Sequence, residues 1–104
     1  MLLHCVFCNF RDDASEAARA HAIDALAVFA RALDGVIAVD CGPNVDLERK
    51  SPEYDAGFVI RFQDQAALRS YAIHPTHQAL GAQLCDLCVG GAEGVMVYDL
   101  AIGA

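Results

Sequence analysis

A tyrosine and two histidines lie within seven residues in the segment SYAIHPTHQAL, residues 70–80. Tyr71, His74 and His77 are spaced by three, which would place them on one side of a helix. A neutral imidazole can take up a proton near pH 7, and a phenol can donate a hydrogen bond to a developing oxyanion. Pro75 lacks a backbone N–H and disfavours helical geometry at His74. We therefore predict a helix broken at this point, which turns Tyr71 and His77 towards a common site.

The same side chains also have an ordinary structural interpretation. His74 can cap backbone groups exposed at the break, and His77 can likewise hydrogen-bond to nearby backbone groups in the first turn of the next helix. Tyr71 can be an amphipathic core residue whose hydroxyl is hydrogen-bonded. The residue types and their spacing leave both interpretations open.

The composition predicts one domain over residues 1–104 that associates with a second copy. Hydrophobic residues make up 56% of the chain and charged residues 20%. A domain of this size leaves in water roughly a third of the surface that its unfolded chain exposes, so one subunit cannot bury that many apolar side chains. We therefore expect a homodimer.

Charge and hydropathy exclude two classes of partner. The net charge is −7 and the seven Lys and Arg residues are scattered, whereas nucleic acid is bound by clustered basic side chains. No apolar run reaches the length of about 20 residues that a membrane span needs. The N-terminus MLLHCVFCNF lacks the basic start and long apolar stretch of a signal peptide. We expect neither nucleic acid nor membrane as a partner, and a cytoplasmic location.

Hydrophobic periodicity predicts four strands and two helical regions. Strand alternation places His4 on one face with Val6 and Cys8, and Asp13 with Glu16 suits a capping box at the start of the first helix. Asp64 and Thr76 are the expected caps of the two segments of the second helical region. The predicted elements are a strand 2–10, a helix 12–35, strands 36–42 and 56–62, a helical region 64–88 broken at Pro75, and a strand 94–101.

This β-α-β-β-α-β order is that of an α+β, ferredoxin-like subunit. Its helices cover one face of a four-stranded antiparallel sheet and leave the other face open. Leu3, Cys5 and Phe7 indicate that the open face is apolar. Two such sheets can stack face to face, which gives the expected dimer its interface.

Five cysteines include two C-x-x-C pairs, a pattern that can bind zinc. Cys5 and Cys8 lie on a predicted strand, where residues three apart point to opposite faces. Cys85 and Cys88 share a helical side with leucines, as buried reduced thiols do. We expect packed thiols, with no metal site and no intramolecular disulfide.

The chain resembles the stress-responsive A/B barrel (Dabb) family along nearly its whole length. The resemblance rests on the segments HCVFCNF, EYDAGFVIRF, YAIHPTHQAL and VMVYDL, and above all on the tyrosine followed by His-Pro-x-His. It implies a dimeric α+β barrel built from two ferredoxin-like subunits. Many members have no assigned activity, so the resemblance favours a barrel that is structural or binds a small apolar ligand.

The chain also resembles one branch of that family, the plant polyketide cyclases, and this resemblance implies an alternative, catalytic function. The matching tyrosine and histidine there close a linear poly-β-keto thioester by an aldol reaction, which would make Tyr71 and His77 catalytic, with His4 supporting them. A neutral imidazole can take a proton from a carbon flanked by two carbonyls. The remaining predicted ligand-binding residues are His74, Val6, Phe58, Ile60 and Leu26.

The chain also departs from the cyclase branch. Ala56 stands where that branch has another pocket histidine, and Ala22, Ile23 and Leu26 replace the aromatic residues that line its tail pocket. A long-tailed aromatic polyketide is therefore not the expected substrate. Related dimeric barrels hold haem, for which His77 would be the axial ligand, but no separate motif supports this, and we expect no cofactor.

Overall fold

The computed structural model describes residues 1–103 as a four-stranded antiparallel sheet with helices on one face. The sheet order is β2-β3-β1-β4, and the predicted ferredoxin-like βαββαβ order is confirmed. The elements are β1 Leu2–Cys8, α1 Glu16–Arg31, β2 Val36–Pro43, β3 Ala56–Phe62, α2 Gln65–Ile73, α3 Pro75–Asp86 and β4 Val95–Ala101, with a 3₁₀ turn at Gly91–Gly94.

The predicted break is confirmed, since α2 ends at Ile73 and α3 begins at Pro75. Pro75 suits the first helical position because the N–H that it lacks would have no partner there. The cap of α3 is therefore His74, whose Nδ1 accepts a hydrogen bond from the Thr76 N–H at 3.1 Å. The prediction of Thr76 as the cap is wrong.

The start of α1 also differs from the prediction. The helix begins at Glu16, and the Ser15 hydroxyl caps it by accepting a hydrogen bond from the Ala18 N–H at 3.1 Å. The Asp13 carboxylate instead accepts from Arg11 Nε at 2.9 Å, so the predicted capping box is wrong. Asp64 caps α2 as predicted, accepting from the Ala67 N–H.

Strand alternation divides the sheet into a core face and an open face. Beneath the helices lies the core, which includes Val6, Cys8, Ile60 and Phe62, each less than 5% exposed. The open face carries large apolar side chains on β4, namely Met96 at 40%, Tyr98 at 59% and Leu100 at 42% exposure. The prediction that one face of the sheet is open and apolar is confirmed.

Two glycines are expected to respond oppositely to alanine. Gly35 has φ +84°, and a Cβ there would lie 2.5 Å from the Ala67 Cβ, so Gly35→Ala should lower the free energy of unfolding by at least about 1 kcal/mol. Gly81 lies inside α3, and no atom lies within 4 Å of its missing Cβ. Gly81→Ala should therefore raise the free energy of unfolding by about 0.5–1 kcal/mol. Urea unfolding at one fixed protein concentration measures both, and destabilisation by Gly81→Ala would contradict an open space at that position.

Candidate functional site

The helix break brings three of the predicted site residues together. Tyr71, in the last turn of α2, is 1% exposed. Its ring centroid lies 4.2 Å from that of His77 on α3 and 5.7 Å from that of His4 on β1. The ring centroid of Phe62 lies 5.3 Å from that of Tyr71. The convergence of Tyr71, His77 and His4 was predicted, and their catalytic roles stay predictions.

The Tyr71 hydroxyl has no hydrogen-bond partner among residues 1–103, although it is fully buried. Burial also raises the pKa of the phenol, so the group keeps its proton and remains a donor. A buried hydroxyl without a partner destabilises a protein by about 1–3 kcal/mol. The site therefore holds one strong donor that the protein itself leaves unused.

His77 is held in the tautomer that a general base requires. Its Nδ1 lies 3.1 Å from the carbonyl oxygen of Ala72, and because a carbonyl only accepts, Nδ1 carries the proton. The lone pair is then on Nε2. Burial lowers the pKa of His77, with smaller contributions in the same direction from His4 and His74, and the hydrogen bond to Ala72 opposes them. The imidazole is thus neutral near pH 7 and able to accept a proton.

His4 is oriented by an aspartate that sequence reasoning missed. Its Nδ1 lies 2.6 Å from Asp99 Oδ1, and the two residues are directly paired between β1 and β4. The side chain of Asp99 is 44% exposed, whereas that of His4 is 11% exposed. Alternation along VMVYDLA already places Asp99 with Val95 and Val97 on one face. Its position opposite His4 follows only from the strand register.

The other predicted ligand-binding residues have clear structural roles. His74 caps α3, and its ring packs edge-on against Phe29 at 4.8 Å between centroids. The apolar ones are buried in the core between sheet and helices: Val6, Phe58, Ile60 and Leu26. A ligand-lining role for these residues stays a prediction.

Two surface cavities lie away from Tyr71. One of about 460 Å³ lies on the open sheet face, between Phe7, Met96 and the loop that joins β2 to β3. The other, of about 640 Å³, lies between the first half of α1 and the ends of β2 and β3, beside Arg19 and His21. Neither cavity is lined by Tyr71, His77 or His4.

The cysteines are free thiols among the described residues. Burial and the neighbouring Cys88 raise the pKa of Cys8 to about 12, which makes it a poor nucleophile. Within residues 1–103 no three His, Cys, Asp or Glu side chains are grouped so as to hold a metal ion. Over the same residues, no helix has the length and apolar character to cross a membrane.

The fold and its open sheet face define one subunit of a ferredoxin-like α+β barrel. The chain belongs to the stress-responsive A/B barrel domain family, whose model matches residues 2–102. This confirms the resemblance seen in the sequence.

Solved structures of other proteins have the same fold. A dimeric ferredoxin-like protein of unknown function from Jannaschia sp. CCS1 is 39% identical, with a TM-score of 0.90 over 97% of this chain and 98% of that one. An Arabidopsis thaliana protein is 20% identical, with a TM-score of 0.85 over 100% and 97% of the two chains. A hydroxynitrile lyase from Passiflora edulis is 12% identical, with a TM-score of 0.82 over 98% and 93%. The last two show the fold alone, and no curated protein matches the chain.

Proposed function

We propose that this protein is a homodimeric barrel that binds a small, largely apolar molecule through a carbonyl group at Tyr71. The observation that carries the proposal is the buried Tyr71 hydroxyl without a partner. A ligand carbonyl would accept its hydrogen bond and remove the free-energy penalty of the unsatisfied donor.

The surroundings of the hydroxyl favour such a ligand over a fully polar one. The rings of Phe62 and Phe29 lie 5.3 Å and 6.2 Å from that of Tyr71, so most of the local surface is apolar. His77 adds one acceptor through Nε2. A few placed polar groups in an apolar setting are typical of small-molecule sites.

Titration of isotope-labelled protein with a 3-oxooctanoyl thioester of N-acetylcysteamine tests the proposal by NMR. We expect saturable shifts of the Tyr71 and His77 ring signals, because the ketone oxygen would bind the phenol. His21 on α1 is exposed beside the second surface cavity, away from Tyr71, and reports binding there instead. Shifts at His21 without shifts at Tyr71 would contradict the proposed site.

A second function, cofactor-independent catalysis on β-keto compounds, is favoured by the tautomer of His77. Nε2 would remove a proton from the carbon between two carbonyls, and the Tyr71 hydroxyl would donate a hydrogen bond to the enolate oxygen. The enolate carbon would then attack a second carbonyl of the same molecule, whose oxygen would take the proton back from His77. The fold carries enzymatic chemistry in the hydroxynitrile lyase.

The homodimer proposed here has the open sheet face as its interface. The Jannaschia relative is dimeric. The apolar residues of β4 are exposed in one subunit, and burial against a second copy would remove them from water. Light scattering at micromolar concentration is expected to give twice the subunit mass of 11.1 kDa. Tyr98→Glu should shift the protein towards monomer, because it places a charge in the interface.

Val28 on α1 is a matched control for that variant. It is 59% exposed, as Tyr98 is, but it lies on the helical side of the subunit. Val28→Glu should leave the dimer mass unchanged. A monomer mass for the unmodified protein, or equal effects of the two variants, would overturn the proposed interface.

We also propose the cytoplasm as the location of the protein. Its cysteines are free thiols in the described residues, and Cys41 is exposed. Reducing compartments keep such thiols reduced.

A further inference from the structure

Strand pairing arranges the side chains of the open sheet face in three rows that cross the four strands. From β2 to β4, the first row is Gly42, Gly57, Phe7 and Met96, the middle row is Asp40, Val59, Cys5 and Tyr98, and the third row is Ala38, Arg61, Leu3 and Leu100. In every row β4 contributes a large side chain, whereas β2 contributes a glycine, an alanine or an aspartate. The open face is therefore raised along β4 and low along β2.

The lowest part of this face is a hollow at Gly42. No described atom lies within 4 Å of a Cβ built at Gly42, whereas a Cβ at Gly57 would lie 2.8 Å from Phe7 Cδ1. The hollow belongs to the cavity of about 460 Å³, which is also lined by Val45 and Tyr54 from the loop between β2 and β3. An apolar hollow on the surface of one subunit is typical of a surface that another molecule covers.

Two copies can stack on this face with twofold symmetry in two ways. The twofold axis lies between the sheets and runs either parallel or perpendicular to the strands, because stacked sheets keep their strands within about 30° of each other. A parallel axis places β4 over β2 of the second copy, and each row over the same row. A perpendicular axis places each strand over its own equivalent, and the first row over the third.

The sizes of the facing side chains favour the parallel axis. One half of the first row consists of the glycines, Gly42 and Gly57, and the other half of two large side chains, Phe7 and Met96. A parallel axis places the large half on the glycine half of the second copy, with Met96 over Gly42. A perpendicular axis would place Gly42 over Ala38 and leave a void, whereas the centres of stable interfaces are packed as densely as protein interiors.

The position of Asp40 favours the same axis. Asp40 is the one acidic residue of the three rows and lies in the middle row on β2. A perpendicular axis would bring the carboxylates of two Asp40 residues together in an interface that excludes water, which is unfavourable. A parallel axis places each Asp40 opposite Tyr98 of the second copy, which is uncharged. Arg61, the one basic residue of the rows, lies in the third row beside Met1 and meets no like charge with either axis.

We propose that two copies stack with the twofold axis parallel to the strands, so that Met96 of each copy fills the hollow at Gly42 of the other. The inference rests on the proposed homodimer and identifies the contacts that align its two sheets. The edge strand β4 of each copy then lies beside β2 of the other. The hollow is complete only with the second copy, and the partner that fits is the same chain because the two halves of the first row match each other in shape.

An exchange of charges between Asp40 and Tyr98 tests the axis. Tyr98→Glu should raise the Kd of the dimer at least about 100-fold, because a parallel axis places the new carboxylate opposite Asp40. Adding Asp40→Lys to Tyr98→Glu should lower the Kd again at least about tenfold, because lysine and glutamate then face each other. With a perpendicular axis each new charge would face its own equivalent, and the double variant would not recover.

Analytical ultracentrifugation measures these dissociation constants, and thermal unfolding shows which variants are folded. Asp24→Lys makes the same change of charge on the exposed surface of α1 and is the matched control for Asp40→Lys. It should not restore the dimer of Tyr98→Glu. Equal recovery with Asp24→Lys and with Asp40→Lys would mean that net charge, and not the facing pair, sets the affinity, and would overturn the proposed axis.

Gly42→Met and Met96→Ala form a second pair, which tests the axis if the charged variants do not fold. Gly42→Met should raise the Kd at least about tenfold, because it fills the hollow from within its own subunit, and adding Met96→Ala should restore most of the affinity. If the protein is dimeric but the folded double variant shows no recovery, the axis is wrong and the homodimer stands. A monomer mass for the unmodified protein would overturn both.

Discussion

His77→Ala is expected to abolish turnover of a β-keto thioester while the protein stays folded and dimeric. The variant removes Nε2, the lone pair that would accept the proton. His4, the other imidazole next to Tyr71, lies farther away, at 5.7 Å against 4.2 Å between ring centroids, and its Nδ1 is hydrogen-bonded to Asp99. Initial rates with a 3,5-dioxohexanoyl thioester of N-acetylcysteamine, followed by the loss of its enol absorbance, measure the effect.

His77→Asn is the sharper variant. Its side-chain amide can still donate to the Ala72 carbonyl, as Nδ1 does, but offers no base. Turnover should be lost in His77→Asn as in His77→Ala, whereas His21→Ala on the exposed side of α1 should keep it. If His77→Ala mainly lowers the melting temperature and His77→Asn keeps both stability and turnover, the histidine is structural.

The dependence of turnover on pH gives an independent check. The pKa of His77 is lowered from its usual 6.5, chiefly by burial, so turnover should persist below pH 6.5 and fall only as pH drops through the lowered pKa. The unfolded chain binds this proton more readily than the folded one, so the free energy of unfolding should also decrease as pH falls below 6.5. His77→Asn should remove this contribution to the pH dependence.

Tyr71→Phe is expected to act in opposite directions on stability and on function. Without ligand, the free energy of unfolding should rise by about 1 kcal/mol, because the variant deletes a buried hydroxyl that has no partner. Turnover should fall roughly 10- to 1,000-fold, the effect of losing one oxyanion donor. Urea unfolding and initial rates measure the two effects on the same preparation.

Tyr98→Phe is the control, since its hydroxyl is on the open sheet face, away from Tyr71. It should leave turnover unchanged. A loss of stability in Tyr71→Phe would mean that the hydroxyl is hydrogen-bonded in the folded protein, and the structural interpretation of Tyr71 would then replace the functional one.

The sequence alone determined the order of the elements and the side of the sheet on which each strand residue lies. Both follow from local properties of the chain: strand alternation has a period of two, and Pro75 can begin a helix but cannot continue the one before it. The convergence of Tyr71, His77 and His4 was predictable for the same reason, because the break, the alternation of β1 and the split βαβ order together leave one shared side.

Only the tertiary structure decided which polar groups at the site have partners. The pairing of Asp99 with His4 depends on the register of β1 against β4, and the unsatisfied Tyr71 hydroxyl depends on every neighbour that packs around it. Distances between residues far apart in the chain arise from packing and register, and no short sequence pattern encodes them.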